Sequence, residues 1–325
     1  MTRANTCFTC LLALLLAAFV GPGTSARADQ PARNGDVPVP ADPLLQALQE
    51  QARDSPARTL AQLWDYRSDT LQAQVGRALA QLGLDREVRE GDLSVVLVDA
   101  TDPNQPRVAE FNGDEMMYAA SLPKIAVLLA AFQQIAGGEM QLDDENEQLM
   151  IRMIRRSDNA ATTELMHRVG KENIARILLS VRYRLYDPRH GGGLWVGKDY
   201  GKAGLWRRDP LNNLSHGATA MQVARFYFLL ENEQLVTPEH SRKMKEILSH
   251  SALNHKFVSG LRRSNPDARF FRKSGSWRTY HSDSVLVKRD GRTYIAVALA
   301  NDPGGADWLS EIIEALDEIV FPGPS

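Results

Sequence analysis

The chain has 325 residues, 43% of them hydrophobic and 24% charged, with a formal net charge of −2. This is the composition of a globular protein able to bury a core within one large domain or two closely joined ones. Charge so evenly balanced lays down no broad basic field, which argues against nucleic acid or an anionic membrane as partner. Short basic runs such as Arg207-Arg208 and Arg262-Arg263 read as solvated surface.

Residues 1–28 read as a secretory signal, with Arg3 in a short basic start, an apolar stretch from Phe8 to Val20, and Ala26-Arg27-Ala28 as a small-residue cleavage site. The stretch is shorter than the roughly 20 apolar residues of a membrane span. Cleavage after Ala28 and a periplasmic or secreted mature protein without a membrane anchor are therefore expected. Both cysteines, Cys7 and Cys10, fall inside this signal, so the mature chain has no disulfide and depends on its hydrophobic core. Cys7-Phe8-Thr9 also lacks the aliphatic and small residues that precede a lipidated cysteine. Residues 29–42, with Pro31, Pro38 and Pro40 among polar neighbours, read as a flexible linker, and 43–69 as an N-terminal helical extension.

Leu71, Val75, Leu79 and Leu82 then recur every three or four residues and predict a one-faced helix that ends between Gly83 and Gly91. Two short strands follow, Leu93 to Val98 and Val108 to Phe111. Lys124 to Ala136 is apolar nearly all round and predicts a helix buried on every side. Val285 to Val287 and Tyr294 to Leu299 read as strands, and Trp308, Leu309, Ile312, Ile313, Leu316 and Ile319 mark a closing amphipathic helix. Strands at both ends with helices between them imply an α/β (α+β) arrangement. A sheet lobe, about 70–120 and 217–325, is interrupted by a helical lobe, about 121–216.

Three motifs occur once each and in order: Ser121-Leu122-Pro123-Lys124, Ser157-Asp158-Asn159 and Lys273-Ser274-Gly275. A serine hydroxyl becomes a useful nucleophile only when a neighbouring base takes its proton. If Ser121 opens the buried helix, Lys124 lies on the same face one turn later and its amine reaches the hydroxyl. Burial and a second ammonium would both favour a neutral Lys124. Taken alone, Ser121 reads first as a helix N-cap, and Ser157-Asp158-Asn159 as a turn with a cap.

The ordered trio resembles the class A β-lactamase family. The likeness runs from about Thr70 to the C-terminus and includes the approach from Asn112 to Ser121 and the helix from Ala160 to Gly170. Ser-Asp-Asn in the middle favours class A over relatives with tyrosine there, and Lys-Ser-Gly keeps both cation and hydroxyl. The resemblance implies an antiparallel sheet flanked by helices plus an all-helical lobe, with the active site in the cleft between them. It implies Ser121 as nucleophile, Lys124 as base and Ser157 as proton shuttle to the leaving nitrogen. Asn159, Lys273, Ser274 and Ser276 would bind substrate, and the backbone N–H groups of Ser121 and Ser276 would form the oxyanion hole, where one donor is worth roughly 3–4 kcal/mol. Asp158 is expected to face away and brace its loop. The implied protein is a monomer that takes a small β-lactam or a peptidoglycan-derived substrate. It could be a hydrolase opening the β-lactam amide, a D-Ala-D-Ala peptidase, cell-wall amidase or esterase, or a sensor that releases its acyl group slowly.

Two departures stand out. The family activates the water that releases the acyl group with a glutamate in an Ω-shaped loop, yet no glutamate lies between Val181 and His216. Asp187, Asp199 and His190 are candidate substitutes, and each also reads as loop bracing; Asp209 with a nearby arginine could tie the loop's neck. Ser157 follows Ser121 by 36 positions, a shorter spacing than is typical of class A, so the helical lobe is trimmed. No cofactor or metal is expected, since His250 and His255 have no carboxylate or cysteine at ligand spacing.

Overall fold

A computed structural model describes Gln46, residues 62–201 and residues 204–322. The signal, the linker and, apart from Gln46, residues 43–61 of the expected extension lie outside the described residues. A short 3-10 turn, Leu63–Tyr66, precedes α1 (Asp69–Gln81), which is capped by Ser68 Oγ accepting from the Leu71 N–H. A one-turn helix, α2 (Asp85–Glu90), leads into the first sheet strands, β1 (Leu93–Asp99) and β2 (Arg107–Phe111). The C-terminal strands β8 (Arg269–Trp277), β9 (Tyr280–Arg289) and β10 (Arg292–Asn301) complete a five-stranded sheet in the order β2-β1-β10-β9-β8. Every pairing is antiparallel. Lys273 and Ser274 lie on the edge strand β8.

Residues alternate across β1, but both faces are covered. Val96 and Val98 join the core under the helical lobe, while Leu93, Val95 and Leu97 join a second core. That is why the strand reads as a continuous apolar run rather than as an alternation. The second core lies beneath α1, α9 (Phe257–Ser264) and the closing helix α10 (Gly305–Val320). On that face β10 presents Ala296, Ala298 and Ala300, small enough to let helices approach. A Cβ on Gly260 of α9 would stand 2.3 Å from Ser310 O in α10.

Between β2 and β8 lies the helical part. It comprises α3 (Lys124–Gly137), α4 (Asp144–Arg155), α5 (Asn159–Val169), α6 (Lys171–Leu179), α7 (Ala220–Glu231) and α8 (Pro238–Leu248). α3 is buried from Lys124 through Phe132, but its last turn surfaces, with Gln133 to Ile135 half-buried and Ala136 exposed. Burial on every side thus holds for the first nine residues only. Beyond α6 the chain forms a small ribbon, β4 (Tyr186–Asp187) with β5 (Gly192–Gly193). A three-stranded sheet joins β3 (Met117–Tyr118), β7 (His216–Ala218) and β6 (Trp195–Val196) in that order. This second sheet ties the 181–216 loop to the segment that enters Ser121. Among the described residues no helix is long and apolar enough to cross a membrane.

Phe132 is fully buried on α3, so Phe132→Ala is expected to cost about 3–5 kcal/mol of stability. Urea unfolding checks this, and a midpoint equal to that of the wild type contradicts it.

Candidate active site

From β3 the chain passes through Ala119 and Ala120 into the turn Ser121-Leu122-Pro123, and the α-helix begins at Lys124. Ser121 therefore precedes the helix instead of opening it, although Lys124 N–H donates to Ser121 O at 3.3 Å and keeps the two residues one turn apart. No side chain caps this helix. The cap reading of Ser121 is thus not realised. Ala120 holds φ at +49° and Ser157 at +56°, a left-handed conformation that costs non-glycine residues roughly 1–3 kcal/mol and gathers at functional sites.

Lys124 is 0% exposed. Its amine donates to Ser157 O at 2.7 Å, to Asn159 Oδ1 at 2.8 Å and to Ser157 Oγ at 3.4 Å. Burial lowers its pKa to about 7, against a smaller upward pull from Asp158. Lys273, 1% exposed, reaches the same hydroxyl from the opposite lobe, with Nζ donating to Ser157 Oγ at 3.0 Å and to Ser274 O at 2.6 Å. Its pKa is held well below the ordinary lysine value by burial first, and then by the charges of Lys124 and Arg272. One hydroxyl therefore touches two amines that resist protonation, and a proton taken by one can pass to the other through Ser157. Asp158 faces away, its Oδ1 accepting from the N–H groups of Ala160 and Ala161 as the cap of α5.

The sheet edge meets the Ser121 turn at Gly275. A Cβ there would stand 2.3 Å from Ala119 O and 2.7 Å from Ser121 N, and Ser282 Oγ across the strand pair donates to Ala119 O at 2.9 Å. This contact brings the Ser121 N–H against the strand that carries Ser276.

Sequence reasoning missed several residues that shape the site. Lys256, 3% exposed, donates to Gly275 O, to Ser276 Oγ at 2.8 Å and to Ser282 O at 3.2 Å. Burial lowers its pKa to about 8. Behind it Arg272 and Asp283, 1% and 0% exposed at the side chain, form a two-pronged ion pair of 2.8 and 2.6 Å. Neither Lys256 nor Arg272 carries a local signal of this, because their partners lie 11 to 26 positions away in sequence. The ring of Tyr200, also missed, lies with its centroid 4.6 Å from Lys124 Nζ and stacks on His216 at 4.2 Å.

The three candidate release residues are engaged elsewhere. Asp187 pairs with Arg189 at 2.6 Å, and Asp199 with Lys171 at 2.7 Å and His167 at 3.1 Å. His190 stacks on Trp64 at 4.0 Å. These arrangements brace the loop. Asp209 ties the neck by accepting from Tyr186 Oη at 2.6 Å and from the N–H groups of Leu211, Asn212 and Leu214. Among the described residues no group of three or more His, Cys, Asp or Glu side chains is placed to hold a metal.

With an antiparallel sheet, a helical lobe and this lysine-serine cluster where they meet, the molecule has the fold of the serine β-lactamases and penicillin-binding proteins. The sequence profile described as Beta-lactamase enzyme family matches residues 74–147 and 145–320. The chain belongs to that family and is class A β-lactamase-like, a hydrolase of the serine β-lactamase and penicillin-binding protein kind. Among solved structures, the β-lactamase of Sphaerobacter thermophilus is 18% identical, with a TM-score of 0.60 over 78% of this chain and 99% of that one. PBP-A is 17% identical, with a TM-score of 0.57 over 82% and 98%. An ancestral class A β-lactamase is 18% identical, with a TM-score of 0.57 over 74% and 99%. These likenesses concern the fold. No curated protein sequence matches the chain.

Gly275→Ala would drive a methyl group into two backbone atoms and displace the Ser121 N–H. Hydrolytic activity is expected to fall about 100-fold or more, the scale of losing one oxyanion donor, with the protein still folded by circular dichroism. Activity within a few-fold of wild type would contradict the placement.

Proposed function

We propose that the protein is an exported, monomeric serine hydrolase in which Ser121 attacks the amide of a β-lactam and forms an acyl-enzyme. Lys124 takes the Ser121 proton, Ser157 passes it to the leaving nitrogen, and Asn159, Ser274 and Ser276 hold the substrate. A substrate carboxylate beside Lys273 supplies the counter-charge that its buried amine lacks, so binding favours the ammonium form of that residue. The observation that carries this reading is the convergence of Lys124 Nζ and Lys273 Nζ on Ser157 Oγ. A PBP-A mutant of the same fold forms an acyl-enzyme complex with penicillin G, and the like chemistry is inferred for this chain.

A second reading, slow release of the acyl group as in a β-lactam or muropeptide sensor, is favoured by one observation. The side chains that accept from Lys124 are those of Ser157 and Asn159, and the residue the loop brings to its amine is a tyrosine ring. Asp187 and Asp199 act in this reading as loop braces.

A chromogenic cephalosporin tests the assignment. Wild type is expected to open it and to gain the mass of the ring-opened drug on Ser121, while Ser121→Ala does neither; an adduct on another side chain would contradict the reading. The acylation rate should rise about ten-fold per pH unit below pH 7 and level off above it, because the amine acts only once deprotonated and its pKa is about 7. Stopped-flow rates from pH 5 to 9 check this, and a flat profile speaks against Lys124 as base. Export predicts a mature N-terminus at Asp29, measurable by intact mass, and retention of residues 1–28 would overturn it.

A further inference from the structure

Release of an ester at Ser121 requires a water oxygen to attack the carbonyl carbon while its proton passes to a base. The Ser121 oxygen then leaves and recovers a proton. A buried amine beside the ester can serve as that base only if water stands next to it. In this protein the loop brings Tyr200 to Lys124, with its ring centroid 4.6 Å from Nζ.

The ring is fixed from every direction. Its hydroxyl donates to Ala120 O at 3.3 Å, one residue before the nucleophile. Its backbone N–H donates to Thr163 Oγ1 at 3.2 Å, and its carbonyl accepts from the same hydroxyl at 3.1 Å. The ring stacks on His216 with centroids 4.2 Å apart and planes 6° from parallel. His216 is 1% exposed, and neither of its ring nitrogens finds a hydrogen-bond partner among the described residues. Burial, reinforced by Lys198 and Lys124, lowers its pKa to about 3 and keeps it uncharged. The tyrosine is thus backed by a buried, uncharged imidazole. Tyr118, 6.3 Å from His216 and 5.4 Å from Tyr280, extends the aromatic wall toward the sheet.

We propose that Tyr200 is a water-excluding plug that fills the loop side of Lys124 and makes the Ser121 acyl-enzyme long-lived. This rests on the reading that Ser121 is acylated. The proton path of Lys124, Ser157 and Lys273 runs through hydrogen bonds that do not involve the ring, which leaves attack by Ser121 untouched. The ring denies hydrolysis the space in which Lys124 would receive a proton from water. The apolar face of the ring sets the lifetime, and the hydroxyl has only an anchoring role.

The test separates formation of the adduct from its decay. Wild type, Tyr200→Phe and Tyr200→Ala are each mixed with excess penicillin G, unbound drug is removed, and the Ser121 adduct is followed by intact mass. All three are expected to form the adduct. Decay in Tyr200→Phe should match wild type within about two-fold, while Tyr200→Ala should decay at least ten-fold faster. Should Tyr200→Ala fail to fold, Tyr200→Val frees less space and is expected to give a smaller acceleration of at least three-fold.

Equal lifetimes in wild type and the small-residue variant would overturn the plug while leaving acylation intact. Slower decay in that variant would do the same. A large change in Tyr200→Phe would overturn it in favour of the hydroxyl. No adduct in wild type would overturn both the plug and the proposed function.

Discussion

Two lysine amines taken out of water around one serine hydroxyl are the constraint on which the rest of this structure depends. Burial of a cation is costly, and the cost is reduced when the group gives up its proton. Lys124 and Lys273 lie within bonding distance of Ser157 Oγ, and the charge of Lys124 further disfavours an ammonium at Lys273. The fold holds this arrangement by making it part of two rigid elements, the first turn of α3 and the edge strand β8. Neither amine can move toward solvent without disturbing a buried helix or the end of a five-stranded sheet.

The join between the lobes is correspondingly tight. At Gly275 any side chain would collide with the backbone on either side of Ala120. Ser282, Lys256 and the Arg272–Asp283 pair fasten the β8–β9 ribbon from behind. Ala120 and Ser157 both hold left-handed backbone, the kind of local strain that gathers at functional sites. The loop that closes the far side follows the same logic, with Asp187, Asp199 and Asp209 spent on ion pairs and backbone N–H groups. Its contribution at Lys124 is therefore an aromatic surface.

Much of this was legible in the sequence, for identifiable reasons. The terminal strands and helices announced themselves because their periodicity is uninterrupted, and the site residues because three motifs share one order. Buried charge was harder to see. Lys256 sits among histidine and phenylalanine with nothing local to mark it, and its acceptors belong to residues 19 to 26 positions away. Tyr200 lies in a glycine-rich stretch that reads only as loop, and its importance follows from stacking on His216, 16 residues later. The aspartates Asp187 and Asp199 looked available because their partners, Arg189 and Lys171, carry no signal of pairing in a linear chain. Conversely, the apolar run of α3 suggested burial throughout, whereas its last turn, which carries Gln133 and Gln134, is half-buried to exposed.

The state of the Lys124 amine is the quantity on which the chemistry turns. The most direct measurement is its own titration, following the ¹³Cε resonance of selectively labelled lysine, assigned by its loss in Lys124→Arg, from pH 5 to 11. The account predicts a midpoint near the value of about 7 set by burial. A midpoint close to the ordinary lysine value of 10.5 would contradict it, because the amine would then be a charged anchor and Ser121 would have no base.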